Sequence, residues 1–229
     1  MKIEEIKSYD ALIVVDPQYD FCPDGALAVA GGDEIMQPIN ALASDFKDAG
    51  ALVVLTQDNH PKGHKSFATT WYLEPFAEIE MPYGKQTLWP DHCVQGTVGA
   101  AFHPVIASGS TLREADLIIR KGTKIEVDSY SAFRENDRSV TGLEGFLKER
   151  GIKRIFVVGL AYDFCVGYSA IDGASAGFET FVIKSLTRAI AAPAILGNND
   201  TGTTADAMDW KLRDAGVTVL ENFNTLIEA

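Results

Sequence analysis

The sequence predicts an α/β protein of one domain: a three-layer α/β/α arrangement around a six-stranded, mainly parallel sheet. Two observations carry that prediction. Short apolar runs rich in β-branched residues recur along the chain with little polar interruption, the pattern of strands covered on both faces. Segments with an apolar stripe at helical spacing lie between most of them, and strand alternating with helix implies right-handed βαβ crossovers. Residues 1–229 read as a single unit, with no internal repeat, linker or low-complexity run.

The first strand is expected over Ala11 to Val15. A helix is expected over Asp33 to Ala49, where Ile35, Met36, Ile39, Leu42, Ala43 and Phe46 form one apolar face and Gly50 closes the end. The second and third strands are expected at Ala51 to Thr56 and Asp116 to Ile119. Between them, Asn59 to Thr111 shows little regular pattern, yet it holds all four histidines (His60, His64, His92, His103) and two of the three tryptophans. So long an irregular stretch inside a compact domain is usually functional, and residues at about 59–111 are expected to carry a metal and substrate loop region. A short helix over Leu143 to Arg150, ended by Gly151, leads to the fourth strand at Ile155 to Val158. A turn through Gly159, Leu160 and Ala161 then opens a segment in which Cys165, Ser169 and Gly173 share one side at helical spacing. Strands at Thr180 to Ile183 and Val217 to Leu220, with a helix over Thr204 to Ala215 between them, complete the order.

Composition narrows the function classes. With 20 basic against 32 acidic side chains the net charge is −12, which opposes nucleic acid or an anionic membrane as partner. No apolar run is long enough to span a bilayer, and MKIEEIKSYD lacks the apolar core of a signal peptide. The cysteines, Cys22, Cys93 and Cys165, are odd in number and form no CxxC pair, so neither a disulfide scaffold nor a zinc ribbon is expected. A reduced, globular, cytoplasmic protein is the expectation.

Ligands of open parallel sheets bind beyond the carboxyl ends of the strands, so the residues just after each run matter most. Asp16 follows the first, Asp58 and then His60 the second, Arg120 and Lys121 the third, and Cys165 the fourth. Each alone has an ordinary structural explanation: a cap, a turn residue, a solvated lysine, a small buried thiol. Their arrival at one edge points to chemistry. A thiol where a strand ends and a helix begins meets free amides and a helix dipole, and is expected to have a depressed pKa. Asp16 could take its proton and later return it to a leaving amine, with a thioester between. Lys121 is expected to keep Asp16 ionised and to favour the thiolate. Asp58 and His60, projecting from one turn, suit a divalent transition metal. His92 in LWPDHC is the best third ligand and His64 in HPKGH the next, while Cys93 reads as packing. Zinc, iron and manganese fit these ligand types alike.

Taken in order, VVDPQYDFCPDGALAV, TQDNHPKGHKSFA, LWPDHCVQGTVGAAFHP, RKGTKIEVDSYSAF and GLAYDFCVGYSAIDGASAGF make the chain similar to the nicotinamidases (pyrazinamidases) of the isochorismatase-like cysteine hydrolases. The resemblance runs from Ala11 to about Ala192. It implies hydrolysis of nicotinamide to nicotinate and ammonia, a step of NAD salvage, with pyrazinamide also accepted. It further implies one divalent metal, no organic cofactor, and a homo-oligomer as a plausible assembly. Asp16, Lys121 and Cys165 match the family's catalytic triad, and Asp58, His60 and His92 match its metal ligands. The Leu160–Ala161 peptide matches a cis bond that turns the Ala161 N–H toward an oxyanion, beside the N–H of Cys165. Phe21, Trp89 and Tyr130 match walls of the ring pocket, with Leu160 and Ala161 bordering it. The short HPKGH spacing departs from some members and places His64 behind the metal ligands. The nearest rivals are hydrolases of the same scaffold acting on a carbamoyl amide or on isochorismate. Those generally lack the metal pair or the cysteine. A thiol redox or ligand-binding protein would need a resolving cysteine near Cys165, and the chain supplies none nearby in sequence.

Overall fold

Successive side chains of a strand face opposite ways, and here both directions are apolar. In β1 (Asp10–Val15), Leu12 and Val14 enter one core while Ala11, Ile13 and Val15 enter another, all fully buried. The computed structural model, which describes residues 6–195 and 201–223, places β1 inside a six-stranded sheet. After β1 come α1 (Met36–Asp48) and β2 (Leu52–Asp58). The long connection that follows contains α2 (Ala68–Trp71), a hairpin of β3 (Glu78–Met81) and β4 (Gly84–Thr87), then α3 (Pro104–Ser108) and α4 (Ser110–Arg113). Next are β5 (Leu117–Lys121), α5 (Leu143–Glu149), β6 (Arg154–Leu160), α6 (Gly167–Ser175) and β7 (Glu179–Arg188). A small pair of β8 (Pro193–Ile195) and β9 (Thr201–Thr203) precedes α7 (Thr204–Asp214) and β10 (Thr218–Leu220).

The order across the sheet is β10-β7-β6-β1-β2-β5, and every neighbouring pair is parallel, as the sequence pattern leads one to expect. One face is covered by α1, α3 and α4 through Ile39, Phe46, Ile106 and Leu112. The other is covered by α5, α6 and α7 through Leu143, Leu147, Ala170, Met208 and Leu212. This is the three-layer arrangement. A helix of seven residues such as α5 is too short to persist alone in water. Leu143 and Leu147, each fully buried and each worth roughly 1.5–3 kcal/mol of burial, hold it in place.

From β1 the chain steps outward through β2 to β5, then returns to β6 on the opposite side of β1 and steps outward again. The reversal opens a crevice at the carboxyl ends of β1 and β6, the usual ligand position in such sheets.

Several boundaries differ from the sequence-based expectation. β2 and β5 extend to Asp58 and Lys121, which are therefore the last ladder residues rather than loop residues, and they are register partners. α1 begins at Met36 rather than Asp33. Pro38 supplies the reason: it has no N–H to give, so it must lie in the first turn of a helix, where none is needed. The stretch 59–111 carries more regular structure than its composition suggested. α7 starts on a capping box, with the Thr203 hydroxyl accepting from the Asp206 N–H while the Asp206 carboxylate accepts from the Thr203 N–H. The tail motif from Leu196 to Asp200 lies outside the described residues. Among those described, no helix is long and apolar enough to cross a membrane.

Candidate active site

Four neighbouring strands, β6, β1, β2 and β5, deliver the polar cluster. Asp16 directly follows β1 with a left-handed φ of 45°, held by Thr56, whose hydroxyl accepts from the Asp16 N–H at 3.0 Å and donates to Oδ1 at 2.5 Å. Lys121 is fully buried, and its Nζ donates to Asp58 Oδ1 at 2.5 Å, to the Ser129 carbonyl at 3.2 Å and to Cys165 Sγ at 3.5 Å. The same ammonium lies 2.8 Å from Asp16 Oδ2. Ligand atoms of Asp16, Asp58 and Cys165 all fall within 4.8 Å of one another. Asp16, Lys121 and Cys165 are thus brought together, and Asp58 joins them through Lys121.

Cys165 is presented by an unusual junction. β6 ends at a cis Leu160–Ala161 peptide, the bond expected there. Gly159, with φ of 107°, passes so close to β1 that a Cβ would meet the Val15 carbonyl oxygen at 2.1 Å. Tyr162–Val166 then form a π-helical turn, closed by the Val166 N–H on the Ala161 carbonyl at 3.1 Å, before α6 begins. Such wide turns recur at functional sites. The turn leaves Cys165 only 7% exposed, facing Lys121.

The charge balance of the cluster corrects two expectations. The Cys165 thiol is pushed well above its ordinary range, not below it. Burial is the main cause, Lys121 opposes it, and Asp16 and Asp58 add to it. Asp16 is likewise raised, again by burial first, with Lys121 lowering it and Asp58 raising it. Two carboxylates against one ammonium leave no surplus positive charge to hold a thiolate, whatever the helix dipole contributes. Burial would push Lys121 down, but Asp16 and Asp58 outweigh it and hold the ammonium well above its usual value. Asp58, despite burial, is held well below the carboxylate range, chiefly by Lys121. Thiol and carboxyl of the cluster are thus both held above their ordinary values by burial.

Asp58, His60 and His92 form a second cluster, with one ligand atom from each inside 4.8 Å. His60 Nδ1 lies 3.0 Å from the Gly122 carbonyl and His92 Nδ1 lies 2.8 Å from the Pro90 carbonyl. A carbonyl only accepts, so both Nδ1 atoms carry the proton and both Nε2 atoms keep their lone pairs. Those Nε2 atoms sit 3.5 and 3.8 Å from Asp58 Oδ2. His60 Nε2 is buried and has no hydrogen-bond partner among the described residues. Two imidazole lone pairs, one of them on the orphaned His60 nitrogen, and a carboxylate fit a divalent transition metal with positions left open. Gly122, with φ of 63°, makes room for this: a Cβ there would lie 2.4 Å from His60 Cε1. Gln18, not anticipated from sequence, braces Asp58 by donating to its carbonyl at 2.7 Å and accepting from its N–H at 2.8 Å.

His64 lies against His60, with ring centroids 4.4 Å apart and the planes tilted by 40°. Its Nε2 faces the Lys124 carbonyl at 2.9 Å, while Nδ1 accepts from the Ser66 N–H and lies 2.7 Å from Ser66 Oγ. With both nitrogens engaged it sits behind the ligand cluster. Cys93 is fully buried with its thiol pushed well above the usual range by burial, consistent with packing.

Beside both clusters lies a small, half-open pocket lined by Phe21, Trp89, Tyr130, Ala161, Phe164 and Cys165, with His92 and Asp58 at one side. Trp89 Nε1 donates to the Tyr130 hydroxyl at 3.3 Å, and Phe164 stands edge-on to Trp89 at 4.8 Å. Leu160 does not line it. That side chain is fully buried in the core on the α1 face, and the residue borders the pocket only through its cis peptide. Sequence reasoning missed Phe164, Asp128, Ser129, Leu27 and Ile190, which also line it. Phe164 was discoverable as the neighbour of Cys165, and Asp128 and Ser129 as neighbours of Tyr130. Leu27 and Ile190 carried no signal.

An isochorismatase domain model matches residues 10–194. The chain belongs to the isochorismatase-domain family. Within that family it is 51% identical over 182 residues to a nicotinamidase of Acinetobacter baylyi, covering 79% of this chain and 81% of the relative. A solved nicotinamidase/pyrazinamidase of Acinetobacter baumanii is 44% identical with a TM-score of 0.82, over 93% of this chain and 96% of that one. The pyrazinamidase of Pyrococcus horikoshii, solved in complex with zinc, is 31% identical with a TM-score of 0.73, over 94% and 99% of the two chains. The isochorismatase-domain fold is thus shared along nearly the full described length.

Proposed function

We propose that this family member is a nicotinamidase: a metal-containing cysteine amidohydrolase that converts nicotinamide to nicotinate and ammonia, and pyrazinamide to pyrazinoate. The observation that carries the reading is the buried contact of Cys165 with Lys121, itself 2.8 Å from Asp16, at the floor of a pocket walled by aromatic rings. The names of the similar proteins support the same activity. Flat aromatic walls suit a heteroaromatic ring, and the pocket is small enough to exclude bulky amides.

The raised pKa values define the starting state. Asp16, basic for a carboxylate, takes the proton of the neutral Cys165 thiol as Sγ attacks the carboxamide carbon. The C–S bond forms, and the N–H groups of Ala161 and Cys165 donate to the developing oxyanion. Asp16 then returns the proton to the departing nitrogen, the C–N bond breaks, and ammonia leaves a thioester. In the second half Asp16 takes a proton from water as its oxygen attacks the thioester carbon. The C–S bond breaks, the thiolate recovers that proton, and nicotinate is released. Lys121 stays charged throughout and balances whichever of Asp16 and Cys165 is anionic. Asp58, His60 and His92 would hold one divalent transition metal (zinc, iron or manganese), supplying Lewis acidity and an attachment point for the ring nitrogen. The product is a substrate for NAD salvage.

The test is direct. Purified protein loaded with metal and mixed with nicotinamide is expected to release ammonia and nicotinate in equal amounts. No ammonia from the metal-loaded protein would end this reading. Benzamide, which lacks the ring nitrogen, is expected to react more slowly, and equal rates would remove the metal–nitrogen contact.

A further inference from the structure

The segment that follows β7 is gripped by a carboxylate that takes no part in the chemistry above. Asp163 lies in the π-helical turn two residues before Cys165 and is 3% exposed. Its Oδ1 accepts from the Ile190 N–H at 3.0 Å, and its Oδ2 accepts from the Ala191 N–H at 2.8 Å and from the Thr204 hydroxyl at 2.5 Å. Ala191 holds a left-handed φ of 53°, a conformation an alanine keeps only when its surroundings impose it. The Ile190 side chain, carried by the gripped backbone, lines the pocket together with Cys165, whereas Asp163 does not. At the near end of the segment the ladder with β6 stops at the Leu160–Arg188 pair. The Arg188 side chain pairs with Glu34 at 2.9 Å, but the Glu34 side chain is 67% exposed, so beyond Arg188 that ion pair adds little. The buried grip of Asp163 is the stronger one.

We propose that Asp163 is a positioning residue that sets the fit of the substrate ring, by fixing the Ile190 wall of the pocket to the same turn that carries the nucleophile. Wall and sulfur then move as one piece, and the carboxamide carbon is presented at a constant distance from Sγ. Reorienting the wall changes how tightly the ring is held in ground state and transition state alike, so the effect falls on KM rather than on kcat. The inference rests on the nicotinamidase reading.

Steady-state kinetics on nicotinamide with Asp163→Asn, Ile190→Ala, their double variant and Thr204→Val test it. Asp163→Asn turns an accepting oxygen into an N–H that faces other donors. KM is expected to rise about tenfold for Asp163→Asn and for Ile190→Ala, with kcat falling less than about threefold. The double variant is expected to be no worse than the more affected single one, because both remove the same wall. Thr204→Val deletes one of the three donors to Asp163 and is expected to raise KM about twofold. Additive single effects, or a lowered melting temperature with KM unmoved, would show a merely structural role and overturn the proposal. Should Asp163→Asn fail to fold, an unchanged KM in Ile190→Ala or Thr204→Val overturns it equally. Wild-type protein that does not turn over nicotinamide refutes the activity itself, and the positioning role with it. Active wild-type protein with unmoved variants refutes the positioning role alone.

Discussion

Asp16, Asp58, Lys121 and Cys165 reach the site at the ends of neighbouring strands, whereas His60, Trp89 and His92 reach it on the long connection between β2 and β5. The first group is placed by sheet geometry. Adjacent strands lie about 4.8 Å apart, and Asp58 and Lys121 are register partners, so their side chains leave the same face at contact distance. The second group is placed by local bonds. A bridge ties His60 to Val94 and another ties Phe67 to Trp89, while the Asp20 carboxylate accepts from the Cys93 N–H at 2.7 Å. The two halves also handle charge differently. The strand half closes on itself, with Lys121 satisfied by two carboxylates, but the loop half leaves the His60 Nε2 lone pair unmatched. A closed charge cluster therefore sits beside a group of side chains that could hold an ion. Asp58 is the hinge between them, one oxygen on Lys121 and the other toward the imidazoles.

The halves should separate under mutation. Cys165→Ala is expected to lower kcat/KM by at least ~10⁴-fold while metal content, measured by atomic absorption, stays at the wild-type level. Loss of metal in that variant would mean the halves are not independent. His60→Ala and His92→Ala, or exhaustive chelation, are expected to remove the metal and cost ~100-fold or more in turnover. Cys165 should nevertheless remain open to iodoacetamide. Asp58→Asn should disturb both halves, losing metal and, because it removes one of the two carboxylates that push the Cys165 thiol up, speeding alkylation of Cys165.

Acidity sharpens the comparison further. Asp16 acts only when ionised, and burial raises its pKa, so protonation sets in at a higher pH than for an ordinary carboxylate near 3.8. The expected profile of kcat/KM falls on the acid side as pH drops through that raised value. It holds through mildly alkaline pH, because Lys121 and Cys165 both keep their protons well above their usual range. Alkylation of the free enzyme by iodoacetamide should accelerate with rising pH. A rate already flat at neutral pH would mean a resting thiolate and would reverse the roles assigned to Asp16. The smallest expected effect is that of Gly122→Ala, whose Cβ would press on the His60 ring. Metal affinity should drop ~10–100-fold, with the alkylation of Cys165 unaffected.

How far the site could be foreseen follows the same division. Asp16 and Cys165 stand at strand ends, and apolar runs mark strand ends well, because a core must be filled wherever the chain pairs. Asp58 and Lys121 were placed two residues outside their strands, since polar residues end an apolar pattern even where the ladder continues through them. Leu160 was assigned to the pocket by motif, but alternation along β6 turns it into the core. Ile190 and Leu27 reach the pocket from segments distant in sequence, and nothing in their neighbours marks them.

Apolar patterning, the polar residue after each strand and the motif order were enough to determine the layered α/β fold, the crevice beside β1 and the side chains gathered there. The protonation state of that gathering was decided by the tertiary structure alone. A thiol's acidity depends on how many charges of each sign surround it and how much water is excluded. Two carboxylates, one ammonium and near-complete burial are facts of three-dimensional packing that no stretch of chain contains.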